Sequence, residues 1–151
     1  MKKSIPYGRQ YIDHLDIKSV NKALQNDFIT QGKIVEKFEK NFAKKVGSKY
    51  ALAVSSCSAG LHLSCLIYSE KKFRNIVTSP ITFASTANAI LHAGKKPIFC
   101  DINSRDANIS TDALKLILGN KNIGGIIPVH FAGNTCDMKS IKKLCKKKNY
   151  L

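Results

Sequence analysis

The sequence predicts an α/β fold built on a mainly parallel sheet, and three observations lead to this prediction. Segments with helical periodicity alternate with short apolar runs along the whole chain. The apolar runs are continuous, which is typical of parallel strands that are buried on both faces. The spacing of the runs leaves room for a crossover helix between successive strands, as a parallel sheet requires.

Two helices are predicted before the first strand. Residues 13–26 form the first, with two aspartates near its start, where the helix dipole favours negative charge. Residues 28–32 break the helical pattern and are predicted to form a loop. Residues 34–46 form the second helix, and Gly47 ends it. The apolar positions are Ile17, Val20 and Leu24 in the first helix and Val35, Phe38, Phe42 and Val46 in the second.

The rest of the chain repeats one unit, a short apolar strand followed by a helix. Glycine, proline and small polar residues separate the units. The predicted strands are 51–54, 75–79, 97–101 and 125–129, and the helices are about 59–68, 83–92, 111–118 and 137–148.

Length and composition indicate one globular domain with a strongly basic surface. The chain has 151 residues, of which 44% are hydrophobic and 23% are charged, and these values exclude a disordered chain. The net charge of +15 comes from 22 lysines and 3 arginines against 10 acidic residues. The lysines are spread over several predicted helices with few aromatic residues among them, and lysine is poorer than arginine at bidentate contacts with phosphates. A solvated basic surface is therefore favoured over nucleic-acid binding.

Cysteine content and hydropathy indicate a cytoplasmic protein. The number of cysteines is odd and there is no CxxC pair, so the sequence predicts neither a disulfide framework nor a metal site. The first residues carry no apolar segment of signal-peptide length, and no run approaches the roughly 20 apolar residues that span a bilayer. The cysteines are Cys57, Cys65, Cys100, Cys136 and Cys145.

The carboxyl ends of the predicted strands are where a ligand is expected in an open α/β sheet. Residues 55–58 are small and lead directly into a helix, whose first amide groups favour an anion. Ser58 there is either a helix cap, which is the commoner role, or a phosphate ligand. The segment matches neither the Walker pattern nor GxGxxG, so it does not predict a nucleotide fold.

Three other strand ends carry a residue with two possible roles. Phe83 is either a core residue or a side chain that stacks on a planar ligand, and the core is the commoner case. Asp101 caps the following turn or serves a site, and capping is favoured. His130 is either a structural histidine, the favoured role, or a general acid or base.

Read together, these motifs resemble the DegT/DnrJ/EryC1/StrS family of sugar aminotransferases, nearly from end to end. The resemblance implies a partial large domain of the pyridoxal-phosphate-dependent fold-type I architecture, an αβα sandwich with a mainly parallel sheet. Residues 1–32 then form an N-terminal helix and substrate loop, and residues 33–151 form the first part of the cofactor-binding domain. The segments that carry the resemblance are FITQG at 28–32, FE to G at 38–47, YALAVSSCSAGLHL at 50–63, TSPITFASTAN at 78–88, AG to DI at 93–102 and PVHFAGNTCDM at 128–138.

The resemblance also implies site residues. Cys57 and Ser58 fall where the family binds the phosphate of pyridoxal 5'-phosphate, and Phe83 falls where an aromatic ring stacks on the pyridine. Cys57 stands in place of a commoner glycine or alanine, so its backbone N–H is the expected contact. The residues implied for the nucleotide-sugar site are Tyr7, Asp27, Phe28, Ile29 and Thr30.

The branch of the family that makes pseudaminic acid for surface glycans is the most similar, through PYGRQ at 6–10, SPITF at 79–83 and VHFAGNTCDM at 129–138. This similarity implies a UDP-linked 4-keto-6-deoxy amino sugar as substrate, glutamate as amino donor and a homodimer as the working form. No nucleic acid or membrane partner is implied.

In the family, the acidic residue that pairs with the pyridine nitrogen and the Schiff-base lysine both follow the position of Leu151. We therefore expect no catalytic residue within this sequence and no transamination by the chain alone. The family's sheet has seven strands, of which the sequence supplies four, so a partial sheet is expected. Two alternatives stay open: a lysine-less sugar dehydratase of the same fold, and a non-catalytic basic module that binds polyanions.

Overall fold

A computed structural model describes residue 6 and residues 8–30, 32–67, 74–119 and 122–148. Tyr7, predicted to line the sugar site, lies outside the described residues. The chain divides into two compact units, Met1–Ala53 and Val54–Leu151, and each is described by itself. The predicted division between residues 32 and 33 stays a prediction.

The first unit contains two helices, α1 (His14–Leu24) and α2 (Lys33–Val46). At the start of α1, Asp13 Oδ1 accepts hydrogen bonds from the Leu15 and Asp16 amides at 2.8 and 3.2 Å. Asp16 Oδ2 in turn accepts one from the Asp13 amide at 3.0 Å, which completes a capping box. The aspartates of the sequence pattern therefore stabilise the helix start through direct hydrogen bonds as well as through charge.

Glycines bound α2 at both ends. Gly47 ends the helix at φ +69°, a left-handed conformation that favours glycine, as the sequence predicts. Gly32 precedes the helix, and a Cβ on it would lie 3.0 Å from the Phe28 carbonyl oxygen. The predicted substrate loop therefore folds back over a position that only glycine fills without displacement.

The second unit contains a parallel sheet of three strands in the order β2-β1-β3. The strands are β1 (Asn75–Thr78), β2 (Lys96–Phe99) and β3 (Ile123–Ile127). Its helices are α3 (Cys57–Ile67), α4 (Ala84–His92), α5 (Thr111–Ile117) and α6 (Met138–Lys148), with a short 3-10 turn at Phe131–Gly133.

Successive residues of the central strand point to opposite faces and thereby define three layers. Val77 packs on one face with Leu114 of α5 and Ile141 of α6. Ile76 packs on the other face with Cys65 of α3 and Ile90 of α4. The sheet therefore lies between two helical layers, and the predicted α/β fold with a parallel sheet is confirmed.

The structure corrects the predicted strands in two places. Residues 51–54 are not a strand, because no described strand lies beside them to supply the ladder hydrogen bonds. The last strand lies two residues earlier than predicted, because Pro128 has no N–H to contribute and β3 ends before it. A proline is tolerated in β2, where Pro97 lies in a strand at the edge of the described sheet.

Among the described residues, no helix combines the length and the apolar character needed to cross a membrane. The same part of the chain holds no group of three or more histidine, cysteine, aspartate or glutamate side chains placed to bind a metal ion.

Candidate functional site

The start of α3 presents two backbone amides that are free to bind a ligand. The Ser56 carbonyl accepts the first helical hydrogen bond, from the Gly60 amide at 3.1 Å, so Ser56 is the residue that caps the helix. Its side chain accepts a second hydrogen bond from the Ala59 amide at 3.2 Å. The amides of Cys57 and Ser58 belong to the first turn, which makes no intrahelical bond, and no described residue accepts from them.

The favoured reading of Ser58 as the helix cap is wrong, because Ser56 fills that position. Ser58 is instead the second residue of the helix, and its side chain is exposed. No described residue hydrogen-bonds to its hydroxyl, which leaves that group available beside two free amides. Cys57 is exposed as well. Four donors, two amides, a hydroxyl and a thiol, therefore belong to one helical turn.

Phe83 ends the loop that follows β1 and lies immediately before α4. Its side chain is 86% exposed, so the commoner role of a core residue is wrong for it. The Phe83 carbonyl accepts the Thr86 amide at 3.0 Å, which fixes the backbone at the start of the helix. An aromatic ring that is held by its backbone and open on its surface is available to stack on a planar ligand.

His130 follows β3 and is held by a short loop that closes on itself. Its Nδ1 accepts a hydrogen bond from the Cys136 amide at 3.0 Å. The Cys136 thiol donates to the Val129 carbonyl at 3.1 Å, so both bonds tie the end of the loop to its beginning. His130 therefore ties the loop together through Nδ1, while its imidazole is exposed and Nε2 has no partner among the described residues.

Asn108 is a residue of this region that sequence reasoning missed. It is 3% exposed and lies in the turn after β2. Its Oδ1 accepts from the Phe131 amide at 3.0 Å, and its Nδ2 donates to the Asn134 carbonyl at 3.3 Å. The only sequence signal is an asparagine in a polar stretch, which ordinarily indicates a surface turn.

Asp101 has a local role. Its Oδ1 accepts a hydrogen bond from the next amide, that of Ile102, at 2.8 Å, so the carboxylate is held within the turn after β2. Its backbone carbonyl accepts from the Ser110 amide at 2.9 Å, which closes the same turn.

The cysteines differ sharply in their surroundings, although all five are free thiols. Burial raises the pKa of Cys65 and of Cys145. Burial, with a smaller contribution from the Asp101 charge, raises the pKa of Cys100 to about 11. Cys65 and Cys100 are buried and Cys145 is half-buried against the core, and all three thiols stay protonated at neutral pH.

The predicted site residues fall into two groups. Cys57, Ser58 and Phe83 all belong to the second unit, at the starts of α3 and α4, and these helices pack together through Cys65 and Ala89. The predicted sugar-binding residues that the structure describes all belong to the first unit and are exposed, with Phe28 and Ile29 at 75% and 70%. They are Asp27, Phe28, Ile29 and Thr30.

A family model described as the DegT/DnrJ/EryC1/StrS aminotransferase family matches residues 10–151. The chain is 40% identical over 147 residues to the UDP-4-amino-4,6-dideoxy-N-acetyl-beta-L-altrosamine transaminase of Campylobacter jejuni. That alignment covers 96% of this chain and 39% of the relative.

Two solved structures have a fold similar to that of this chain. One is an aminotransferase of Helicobacter pylori involved in the biosynthesis of pseudoaminic acid, with a TM-score of 0.88 and 33% identity, covering 98% of this chain and 40% of that one. The other is the GDP-4-keto-6-deoxy-D-mannose-3-dehydratase of E. coli with bound hydrated PLP, with a TM-score of 0.86 and 27% identity, covering 98% and 39%. The chain therefore spans about two fifths of the length of the proteins it resembles.

Proposed function

Because the chain belongs to the DegT/DnrJ/EryC1/StrS aminotransferase family, we propose that it forms the phosphate- and ring-binding part of a pyridoxal-phosphate-dependent sugar aminotransferase. The reaction is the transfer of an amino group from glutamate to a UDP-linked 4-keto-6-deoxy amino sugar. The relatives from Campylobacter jejuni and Helicobacter pylori, which are named for amino-sugar chemistry, support this choice of substrate.

The observation that carries the proposal is the start of α3. The amides of Cys57 and Ser58 and the Ser58 hydroxyl fit a phosphate, because a helix N-terminus attracts an anion and each group donates a hydrogen bond. Ser56 already satisfies the next amide, so the phosphate does not compete with the helix cap. Cys57 contributes through its backbone, as its position in the resemblance implies.

The ring of Phe83 is a second feature that fits the same cofactor. Its exposed ring would stack on the pyridine of pyridoxal phosphate and exclude water from that face. When bound, the cofactor supplies an electron sink that stabilises negative charge at the carbon beside the transferred nitrogen. The residues of this chain anchor and orient the cofactor, and we assign none of them to the proton transfers.

The sugar-binding residues remain proposals that rest on the resemblance. Asp27, Phe28, Ile29 and Thr30 would contact the UDP-sugar together with Tyr7, and their exposure leaves them available for it. We also propose that the working enzyme is a homodimer in the cytoplasm. The five free thiols suit a reducing compartment.

The chain by itself is proposed to bind the cofactor without transferring amino groups. None of its 22 lysines lies in a segment that resembles the family's Schiff-base site. Transamination needs that amine as nucleophile and proton carrier.

A sugar dehydratase of the same fold is the second candidate, and the likeness to the E. coli dehydratase favours it. The residue at the family's Schiff-base position discriminates between the two, because the dehydratase relatives lack the lysine that the aminotransferases carry there. The third candidate is a basic module that binds polyanions. It predicts that the affinity for a polyanion falls steeply as the salt concentration rises and that the chain does not bind the cofactor.

A chimera tests the proposal directly. The 147-residue segment of the Campylobacter jejuni transaminase that aligns with this chain is replaced by the chain, and glutamate-dependent amination of a UDP-linked keto-sugar is measured. We expect an aminated product from the chimera and none from the chain alone. A folded chimera that binds cofactor but aminates no UDP-linked keto-sugar would contradict the proposal, and amination by the chain alone would contradict the division of roles.

A further inference from the structure

We infer that Asn108 is a positioning residue that holds His130 with its Nε2–H free to donate a hydrogen bond to an oxygen of the phosphorylated ligand. This inference deepens the proposed function and rests on it. The sequence offered His130 as a structural histidine or as a general acid or base, and it gave Asn108 no role. The observations that carry the inference are the hydrogen bonds of the loops that follow β2 and β3.

The first observation fixes the tautomer of the neutral ring. In a neutral imidazole one nitrogen carries the proton and the other accepts. Nδ1 of His130 accepts from the Cys136 amide at 3.0 Å, so the proton of the neutral ring is on Nε2. No described residue bonds to Nε2, and the side chain is exposed. The loop therefore presents a hydrogen-bond donor of fixed identity at the far end of the ring.

The second observation fixes the backbone on which the ring is carried. The Phe131 amide, which belongs to the peptide unit directly after His130, donates to Asn108 Oδ1 at 3.0 Å. Asn108 Nδ2 donates to the Asn134 carbonyl at 3.3 Å, so one side chain holds both ends of the turn between them. Ala132 in that turn has φ +50°, a conformation that a non-glycine residue adopts only when its surroundings impose it.

The third observation puts the donor and the proposed site at the same edge of the sheet. β1 and β3 are adjacent and parallel, with Thr78 paired to Ile127, so their carboxyl ends lie at one edge of the sheet. Phe83 follows the end of β1 and His130 follows the end of β3. A ligand stacked on Phe83 would therefore lie at the edge of the sheet where His130 offers its Nε2–H, and an oxygen of that ligand is the natural acceptor.

The test combines two variants and two measurements on the full 151-residue chain. His130→Asn keeps an acceptor near the Nδ1 position for the Cys136 amide but removes the distal donor. Asn108→Ala removes both bonds that hold the turn. Asn103→Ala is the matched control, because among the described residues Asn103 Oδ1 accepts only from the Arg105 amide within its own turn. The measurements are the tautomer of His130 by imidazole ¹⁵N NMR and the Kd for pyridoxamine 5'-phosphate, which has no aldehyde to react with surface lysines.

We expect the wild type and the control to show a single Nε2–H tautomer of His130 and the same affinity. His130→Asn should weaken binding about 10-fold with little change in unfolding free energy, as the loss of one hydrogen bond to a charged group predicts. Asn108→Ala should mix the tautomers and weaken binding by a similar factor. The double variant should bind about as tightly as His130→Asn alone, because the two residues act through one contact.

Three outcomes would overturn the inference: a proton on Nδ1 in the wild type, full affinity in His130→Asn, or independent, additive losses in the double variant. A wild-type chain that binds no pyridoxamine 5'-phosphate would contradict the proposed function itself and the donor role with it. If only the inference is wrong, the wild type still binds pyridoxamine 5'-phosphate, and only the tautomer or the affinities of the variants differ from the expected values.

Discussion

Two serines in the segment before α3 have separate roles, although they are only two residues apart. Ser56 caps the helix through its side chain and its carbonyl, while Ser58 offers an uncommitted hydroxyl next to free amides. The sequence indicated this segment but not the division of roles. A run of small polar residues fits several helix starts that differ by one or two positions.

Substitution of each serine by alanine separates stability from binding. Ser58→Ala should weaken pyridoxamine 5'-phosphate binding about 10-fold, because a hydrogen bond to a charged oxygen contributes about 1.5 kcal/mol. Its unfolding free energy should change little. Ser56→Ala should instead lower the unfolding free energy by about 1 kcal/mol through loss of the cap. Fluorescence titration and urea unfolding measure the two effects, and a reversed pattern would show that Ser56 is the ligand.

The raised pKa of Cys100 predicts how the free energy of unfolding depends on pH. It is fully buried, and its pKa is raised from 9.0 to about 11, first by burial and then by the Asp101 charge. The folded state therefore holds this proton more tightly than the unfolded state. The resulting stabilisation is complete below pH 9 and is lost as the pH rises toward 11.

The measurement is the unfolding free energy of the wild type and of Cys100→Ala across this pH range. The wild type should lose on the order of 2 kcal/mol more than the variant between pH 8 and pH 11. The lysines titrate in both proteins, so their contribution cancels in the comparison. Equal pH dependence of the two proteins would show that the thiol does not resist ionisation.

At the scale of elements, helices were easier to predict than strands. The apolar spacing of residues 13–26 and 34–46 and the glycine at 47 predicted α1 and α2 to within two residues, because a helix makes its hydrogen bonds within its own segment. Residues 51–54 show the opposite case. Their apolar run suits a strand, but a strand needs a neighbour, and composition does not reveal whether one lies beside it.

Helix α5 offers a matched pair of leucines for testing the core. Leu114 is fully buried between β1 and α6, whereas Leu116, two residues later, is 81% exposed. Leu114→Ala should lower the unfolding free energy by about 2–5 kcal/mol through lost burial and a cavity. Leu116→Ala should change it by less than about 0.5 kcal/mol. Similar losses in urea unfolding would mean that α5 does not pack on the sheet as described.

At the scale of the molecule, adjacent side chains on β1 point to opposite faces of the sheet, and this alternation produces the three layers of the second unit. Ile76 and Val77 face opposite helical layers, and the parallel order places the ends of β1 and β3 at one edge. The sequence predicted this architecture and three of its strands. It did not predict that the turn after β2 holds the loop after β3 through Asn108, because a contact between distant turns has no local pattern.

The first unit differs from the second in how little of its apolar surface is covered. Among the described residues of its helices only Ala43 is buried, while Ile17, Val20 and Leu24 are each more than half exposed. These residues have the helical spacing that the sequence showed, so the pattern predicted the helix correctly. Exposed apolar faces of this extent are typical of surfaces that contact further protein.

The central claim is that the start of α3 and Phe83 hold a phosphorylated pyridine, and one titration tests it most directly. The fluorescence of pyridoxamine 5'-phosphate and of pyridoxamine is followed as each is titrated with the wild-type chain and with Phe83→Ala. We predict saturable binding of the phosphorylated form at least about 10-fold tighter than that of pyridoxamine, and a weaker affinity for both in Phe83→Ala. Equal affinity for the two ligands, or no effect of Phe83→Ala, would contradict the assignment of this site.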